Sequence, residues 1–435
     1  MRTFSCQVLR KCSLAVALGA ACHASLALVK GETPPEGIPI QQLLLSPDHC
    51  DFPWKVRLFL PILTYQQRYL VKLTTAIDSG KLLRNARFRD LHYIVKVADE
   101  NGKWFSGQSY RHLAAPSDWV GKVEIDSHVG VLLRPGTYLI AMIVYDSVHR
   151  QSNVWRRRVN VATLINDPLP QLDLGIPSVY FSEDIPSADS ASVFPDQWEP
   201  KAPDLYYVKE AWTFGPGISR LPVRNGAPLV IDVVVNLSPG YYFGPEGSET
   251  AYRENADLML QMVSVLSGLS PAKGCVRVSV LDILRQVTLQ DRTTSEIDWE
   301  DFRRTVNGVE YEKIDVKTLA VRTRGAEFFR DFLERLAAEP QPCGLQSGAF
   351  RHVVIVVSTG LVFPHGSQVP RLSEEGLTQG LLYYLHLQVG PNDIFDQIDQ
   401  ILHPVRPTVL RLKSSLEFRK AIARIIAEIE MRDRR

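Results

Sequence analysis

The hydrophobic pattern changes its period near residue 227, and this change constrains the fold more than any other feature. Before residue 162 short apolar segments recur about every ten residues, without a helical period. After residue 227 continuous apolar runs alternate with segments whose apolar residues keep helical spacing. A chain of 435 residues also exceeds one ordinary domain of roughly 100–200 residues. The sequence therefore predicts two domains of different fold class.

The first of these domains is predicted to be an antiparallel β-sandwich. A Pro-Gly turn at Pro135 and Gly136 precedes a strongly apolar strand, and a turn cluster begins at Asp99. About seven strands without helices are typical of an immunoglobulin-like sandwich. The predicted strands are 55–63, 69–77, 92–97, 120–125, 129–132, 137–145 and 153–161.

The second domain is predicted to be a doubly wound α/β domain. Alternating apolar strands and amphipathic helices indicate a mainly parallel sheet covered on both faces. Ser414 and Glu417 have the spacing of a capping box at the start of the last helix. The predicted strands are 229–235, 276–284, 286–289, 353–357, 381–389 and 408–412, and the predicted helices are 256–269, 323–338, 393–402 and one beginning at 414.

The segment between these domains, 163–226, contains nine prolines. Proline cannot donate to a central strand, so we expect a linker. Its many aromatic residues instead favour an extended wrap along a domain surface.

The first thirty residues have the pattern of a secretory signal peptide. Arg2, Arg10 and Lys11 precede an uncharged apolar stretch that ends in small residues. Cleavage is expected after Ala27, with Ala24 as an alternative, and a lipoprotein cysteine at Cys22 is a further alternative. An uncleaved anchor is disfavoured because the stretch is short for a membrane span. We therefore expect an exported protein, located in the periplasm, on the cell surface or outside the cell.

The charge balance excludes binding that depends on the net charge of the whole molecule. The chain carries 49 basic and 48 acidic residues, and without residues 1–27 it would carry 46 and 48, a net charge of −2. Neither balance is that of a nucleic-acid binder or of a protein drawn to anionic membranes.

Three cysteines follow the predicted signal peptide: Cys50, Cys275 and Cys343. Cys275 directly precedes one predicted strand and Cys343 lies shortly before another, so a disulfide could join them in an oxidising compartment. Two buried thiols are an equal alternative. The state of Cys50 stays open.

The α/β half resembles a von Willebrand factor type A (VWA) domain, of the kind found in secreted bacterial proteins. The run PLVIDVVVNLSPG from Pro228 resembles the first strand and loop of that family, and VVIVVSTG from Val353 resembles the fourth strand. LLYYLHLQVG from Leu381 resembles the fifth strand. The sandwich with its Pro-Gly-Thr-Tyr strand resembles the N-terminal half of such proteins.

The resemblance implies a metal-ion-dependent adhesion site, from which this chain departs. The family's loop reads Asp-x-Ser-x-Ser, but Asn236 stands at the aspartate position, Ser238 matches the first serine and Gly240 replaces the second. Thr359, followed by Gly360, stands where the family has its second aspartate. Without these carboxylates the loop lacks the charge that attracts a divalent cation. We therefore expect a degenerate site without metal, and no cofactor.

The edge that these loops form has three interpretations. It is a metal-free recognition surface, a degenerate site in a structural scaffold, or the product of a shifted alignment. Strand ends are where open α/β folds bind ligands. We expect the contact surface at 236–242, 359–361 and 390–392, with Tyr242 favouring contact with a protein partner.

Catalytic motifs do not stand out. The chain has no nucleophile elbow, Walker loop or zinc-protease motif, and its ten histidines show no ligand spacing. A triad of Ser358 with His365 or His386 and Asp393 has no support beyond the presence of these residue types. Arg156, Arg157 and Arg158 are expected on a solvated strand. Four sandwich tryptophans offer an alternative carbohydrate-binding face, although most are expected in the core: Trp54, Trp104, Trp119 and Trp155.

The sequence thus predicts an exported, non-catalytic protein-binding or scaffold protein without nucleic-acid or membrane-spanning functions. A carbohydrate- or envelope-binding module and an enzyme of unknown type remain alternatives. The predicted organisation is a signal peptide over 1–27, a linker over 28–52, the sandwich over 53–162, the linker or wrap over 163–226 and the VWA-like domain over 227–435.

Overall fold

The computed structural model describes thirteen stretches of the chain. They are residues 4–5, 34–83, 88–116, 124–169, 178–181, 221–238, 248–307, 324–339, 342–345, 350–363, 369–373, 381–388 and 396–433. Apart from 4–5, the predicted signal peptide lies outside them, as do most of 163–226 and the predicted site residues Gly240 and Tyr242. Within the described ranges no helix is long and apolar enough to cross a membrane.

The N-terminal part of the chain consists of two antiparallel sheets. One sheet has the order β1-β3-β5-β8-β11 with β4 beside β5, and the other has the order β2-β10-β9-β6-β7. The strands are β1 Phe4–Ser5, β2 His49–Cys50, β3 Trp54–Leu58, β4 Ile62–Leu63, β5 Tyr69–Asp78, β6 Phe88–Ala98, β7 Ser109–Pro116, β8 Glu124–Leu133, β9 Gly136–Asp146, β10 Gln151–Val161 and β11 Val179–Phe181. Two short helices accompany them, α1 Ile40–Leu45 and α2 Ser79–Leu82.

Alternating side chains of both sheets form one apolar core between them. Because successive strand residues point to opposite faces, every second residue of a strand enters this core. Val71, Leu73 and Val131 contribute from the first sheet, and Val95 and Met142 from the second.

The outer face of the second sheet is covered by α1. Leu43 and Leu44 are buried against Ile94 and Ile143 of that sheet. Arg156 closes the end of the helix, since its Nη2 donates to the carbonyl oxygens of Leu43 and Leu44 at 2.8 and 2.9 Å. The expectation of a linker over 28–52 is therefore wrong for its second half, where apolar leucines supply enough surface to dock a short helix.

The C-terminal part contains a six-stranded sheet of order β16-β15-β13-β17-β18-β19. All neighbours pair in parallel except β16, which is antiparallel to β15. A separate parallel pair joins β12 to β14. The elements are β12 Leu221–Val223, β13 Leu229–Asn236, α3 Ser248–Leu266, β14 Leu269–Pro271, β15 Gly274–Asp282, β16 Val287–Thr293, α4 Trp299–Asn307, α5 Gly325–Ala338, β17 Arg351–Thr359, β18 Leu381–Leu387, α6 Gln397–Leu402, β19 Thr408–Leu412 and α7 Ser415–Asp433, with single 3₁₀ turns at Pro342–Gly344 and His403–Val405.

Helices cover both faces of this sheet. Met262 of α3 and Ile422 of α7 share a core with Val233 on one face. Phe329 of α5 and Ile401 of α6 share a second core on the other face. Because helices cover both faces of the sheet, β13 is buried along its whole length. A strand buried on both faces favours a nearly continuous apolar sequence.

The expectation of a multidomain chain rich in β-sheet is confirmed, and the strand predictions agree with the structure to within a few residues in most cases. Three differences stand out: β7 and α4 were not predicted, and the described residues of the predicted strands 120–125 and 129–132 belong to one strand, β8.

The two parts of the chain meet at the start of α7. Tyr65, from the loop between β4 and β5, is buried in the core of the α/β part and packs against Phe418 with ring centroids 6.1 Å apart. Ser415 Oγ donates to the carbonyl of Leu63 at 2.8 Å. Arg419 forms an ion pair with Asp167, so the chain that leaves the sandwich is tied to the last helix.

Candidate functional site

The carboxyl ends of the central strands bring together the residues that the resemblance singled out. Asn236 ends β13, and Ser358 and Thr359 end the neighbouring strand β17. His386 lies beside Ser358 on the next strand, β18. In parallel sheets these ends lie at one edge, so residues far apart in sequence become neighbours.

Asn236 and Ser358 are joined by a hydrogen bond across two strands. Asn236 Nδ2 donates to Ser358 Oγ at 2.9 Å, and Ser358 Oγ donates to the carbonyl of Thr359 at 2.7 Å. The other amide atom, Asn236 Oδ1, accepts from the backbone N–H of Ser238 at 2.9 Å. Both ends of the Asn236 amide are therefore used inside the protein.

Ser238 is held by a carboxylate that the sequence analysis did not consider. Its hydroxyl donates to Asp282 Oδ1 at 2.8 Å and accepts from the N–H of Leu284 at 3.0 Å. Arg285 Nη1 contacts Asp282 Oδ2 at 2.9 Å. Asp282 ends β15, and its strand-end position was the available signal. This carboxylate is already neutralised by an arginine.

The described residues of the predicted contact surface are buried, and this corrects the expectation of direct contact through them. Asn236 and Thr359 are each 1% exposed and Ser238 is fully buried, and Gly360 is buried as well. They fill the end of the sheet, where Asn236 bonds to Ser238 and Ser238 bonds to Asp282. Gly240, Tyr242 and residues 390–392 lie outside the described ranges.

A second polar group on this edge is His386 with Asp396. The ring of His386 stacks on Tyr384 with centroids 5.4 Å apart, and its Nδ1 lies 3.9 Å from Asp396 Oδ2. Tyr384 donates to that same oxygen at 2.6 Å. Burial raises the pKa of Asp396, although the hydrogen bond from Tyr384 and the nearby His386 act in the opposite direction.

These residues are not arranged as the triad considered above. Ser358 is fully buried, and its hydroxyl proton points to the carbonyl of Thr359. A nucleophilic serine instead donates to its histidine. His365 and Asp393 lie outside the described residues.

Two histidines do meet, on the sandwich. His92 and His112 face each other across β6 and β7, and Asp90 precedes His92 by two residues on the same face. Asp90 Oδ1 lies 2.5 Å from His112 Nε2, and Asp90 Oδ2 lies 3.1 Å from His92 Nε2. The expectation of histidines without ligand spacing is wrong for this pair, because the spacing arises from strand register and not from the linear sequence.

The sandwich tryptophans do not form an exposed platform among the described residues. Trp54 lies in the core between the sheets, and Trp155 packs against that core from a half-buried position. Trp104 packs on the outer apolar cluster that α1 covers, and Trp119 is not among the described residues. Of the three arginines after Trp155, Arg157 stacks on the Trp155 ring at 5.6 Å while Arg156 caps α1.

A disulfide joins Cys275 to Cys343, with Cα atoms 6.4 Å apart. Cys275 is the second residue of β15, and Cys343 adopts a left-handed backbone conformation in the turn before β17. Cys50 is not part of this disulfide.

Comparisons with known proteins give no family. No protein-family model matches the chain, and no curated protein matches it. Solved structures with some similarity include a glycosyl hydrolase family 2 member from Bacteroides cellulosilyticus DSM 14838, at 8% identity and a TM-score of 0.17, covering 70% of this chain and 36% of that chain. Another is the Bacteroides uniformis beta-glucuronidase, at 7% identity and a TM-score of 0.19, covering 86% of this chain and 43% of that chain. The chain spans less than half the length of both, and similarity at this level identifies neither fold nor function.

Proposed function

We propose that this chain is an exported, non-catalytic protein-binding protein whose α/β part is a VWA-type domain that works without a metal ion. The observation that carries the proposal is the hydrogen bond between Asn236 and Ser358. The side chain at the family's first aspartate position bonds to Ser358 and to the N–H of Ser238, so it holds the strand ends together without a cation.

The strand order supports the choice of fold type. Renumbered along the chain, the six strands have the order 3-2-1-4-5-6 with the third strand antiparallel. This order reverses at β13 and β17, and open α/β sheets place their ligands where the order reverses. The site of contact is therefore expected where β13 and β17 end.

Because the described residues at this edge are buried, a partner has to contact the residues that follow them in the chain. Two stretches outside the described ranges follow strands that end at this edge: 239–247 comes after β13 in the chain, and 389–395 comes after β18. Tyr242 belongs to the first stretch. A large aromatic side chain with a polar tip is the residue type most often found at the energetic centre of protein interfaces.

Site-specific crosslinking tests the contact surface. A photoreactive amino acid placed at Tyr242 is compared with one placed at Met431, in extracts of the cell envelope. Met431 is an exposed apolar residue near the C-terminal end of α7. At this end Asp433 accepts a hydrogen bond from the N–H of Gly226, shortly before β13 begins. It therefore reports on the opposite edge of the sheet.

The proposal expects a discrete crosslinked protein at position 242 and none at position 431. Identical products from both positions, or none from either, contradict it. A crosslink at 242 that disappears with EDTA contradicts the metal-free mode of binding.

Export is the remaining part of the proposal. The Cys275–Cys343 disulfide favours an oxidising compartment, since such bonds are rare in reducing ones. Mass spectrometry of the mature N-terminus tests it: an end at residue 25 or 28 is expected, and an intact Met1 in the purified cellular protein contradicts it.

A further inference from the structure

We propose that Asp90, His92 and His112 form a binding site for a divalent transition-metal ion, with Zn²⁺ as the best-suited probe. The three residues share the outer face of the second sandwich sheet. Their ligand atoms lie within 4.8 Å of one another. This site lies on the sandwich and is independent of the function proposed for the α/β part.

The cluster has the spacing that a metal ion needs. Zinc binds imidazole nitrogen and carboxylate oxygen at about 2.0–2.2 Å, so two ligands of one ion lie about 3–4 Å apart. The Asp90 oxygens lie 2.5 and 3.1 Å from the two Nε2 atoms. An ion therefore fits once the carboxylate of Asp90 moves away from His112 and its hydrogen bond to that ring is replaced by bonds to the metal.

The backbone keeps the ligands in place. His92 and His112 are direct partners in the antiparallel ladder of β6 and β7, and their rings stack with centroids 5.0 Å apart. Asp90 and His92 are two residues apart on β6 and therefore point to the same face. A site built on strands holds its ligands more firmly than a site built on loops.

Neighbouring side chains hydrogen-bond to His92 and Asp90 and orient them. Tyr110 Oη lies 2.7 Å from His92 Nδ1, and Ser147 Oγ donates to Asp90 Oδ2. When Nε2 of His92 binds the ion, the ring proton is on Nδ1, and Tyr110 is placed to accept it. Histidine ligands in metal sites almost always have such a partner on the second nitrogen.

Ligand type and exposure define the class of ion. Two imidazoles with one carboxylate suit zinc and its neighbours, whereas Mg²⁺ and Ca²⁺ prefer oxygen ligands. His92 is 3% exposed at its side chain, while Asp90 and His112 are 24% and 28% exposed. The partial exposure gives an ion access and leaves room for water as a fourth ligand.

The test is Zn²⁺ titration of the untagged mature protein by calorimetry. One ion per chain is expected, and His112→Gln should weaken binding at least tenfold. Glutamine keeps a donor toward Asp90, so the variant is expected to stay folded, which circular dichroism checks. X-ray absorption of the loaded protein should show two nitrogen neighbours from imidazole and an oxygen near 2 Å.

Two control variants make the assignment specific. His149→Ala removes a neighbouring histidine that bonds to Asp146, and Cys50→Ser removes the cysteine that lies outside the disulfide. Both should bind Zn²⁺ as the wild type does. Absence of saturable binding, an unchanged affinity in His112→Gln, or an equal loss in either control overturns the proposal and leaves the three residues as a hydrogen-bonded structural cluster.

Discussion

Asn236 donates a hydrogen bond to Ser358 at 2.9 Å, between two strands whose last residues are separated by more than 120 positions in the chain. The bond links the positions at which the resembled family places a metal-binding aspartate and the residue before its second one. At this point of the edge the strands are joined by two neutral side chains.

This hydrogen bond should be measurable as a coupling energy. Asn236→Ala leaves the Ser358 hydroxyl and the Ser238 N–H without their partner, and the free energy of unfolding should fall by about 1–3 kcal/mol. In a double-mutant cycle with Ser358→Ala, the losses of unfolding free energy should depart from additivity by at least about 0.5 kcal/mol. Urea unfolding measures them. Ser264→Ala on α3 is the control, because its hydroxyl bonds only within its own helix. Full additivity between Asn236 and Ser358 would show that the bond does not contribute.

Metal independence of the α/β edge predicts a melting temperature that does not respond to Mg²⁺ or Ca²⁺. Both ions prefer oxygen ligands, so the histidine cluster on the sandwich should not interfere. The double variant Asn236→Asp with Thr359→Asp adds two carboxylates to a buried edge. It should melt at a lower temperature than the wild type and recover in part with millimolar Mg²⁺. Saturable stabilisation of the wild type that Ser238→Ala abolishes would refute the metal-free assignment.

The ion pair between Arg419 and Asp167 should make the junction of the two parts sensitive to acid. Arg419 Nε lies 2.6 Å from Asp167 Oδ1, and the arginine side chain is 3% exposed. Asp167→Asn leaves a buried arginine without its counter-charge. We expect a loss of about 3 kcal/mol at pH 7. Asp48→Asn is the matched control, since its pair with Arg156 is half exposed and should contribute less than about 1 kcal/mol.

The difference in stability between the wild type and Asp167→Asn should depend on pH, in the direction set by the pKa shift of Asp167. Burial acts to raise the pKa of Asp167, but the hydrogen bonds from Arg419 and from the N–H of Leu169, together with the charge of Arg419, outweigh it and lower the pKa below its ordinary value. The stabilisation is therefore complete above the unfolded pKa of about 4 and is lost as pH falls through the folded pKa. Urea unfolding of the wild type and Asp167→Asn should converge from pH 5 to pH 3. A constant difference over this range would contradict the role of the ionised pair.

The Cys275–Cys343 disulfide should stabilise the α/β part. It closes a loop with a sequence separation of 68, and loops of this size contribute about 2–4 kcal/mol. The Cys275→Ser, Cys343→Ser double variant should therefore unfold at a lower urea concentration than the wild type. Cys50→Ser is the matched control and should unfold closer to the wild type, because it leaves the Cys275–Cys343 crosslink in place. Equal midpoints for all three proteins would show that the crosslink constrains nothing that matters to unfolding.

The elements of the α/β part were predictable because their signals are local. β13 and β17 are rich in Val and Ile, and β19 was predicted with the bounds that the structure shows. The capping pair at α7 also forms, with the N–H of Glu417 donating to Ser414 Oγ at 3.3 Å. Helix α4 was missed because its polar residues outweigh its few apolar ones, although Phe302 and Val306 are buried.

The metal-site proposal and the burial of the predicted contact surface required the tertiary structure. Whether His92 meets His112 depends on the register between β6 and β7, and the long connection between these strands does not specify it. Likewise, Asp282 reaches Ser238 only because β15 lies beside β13 in the sheet.

By itself, then, the sequence determined the order of most of the elements, the two classes of architecture and the absence of aspartate at Asn236 and Thr359. Hydrophobic period and residue identity are properties of short segments, which a single chain displays directly. Tertiary structure alone decided which polar side chains meet, which are buried, and that the Cys275–Cys343 disulfide forms. Those outcomes depend on register and on packing between distant segments, and no local pattern encodes either of them.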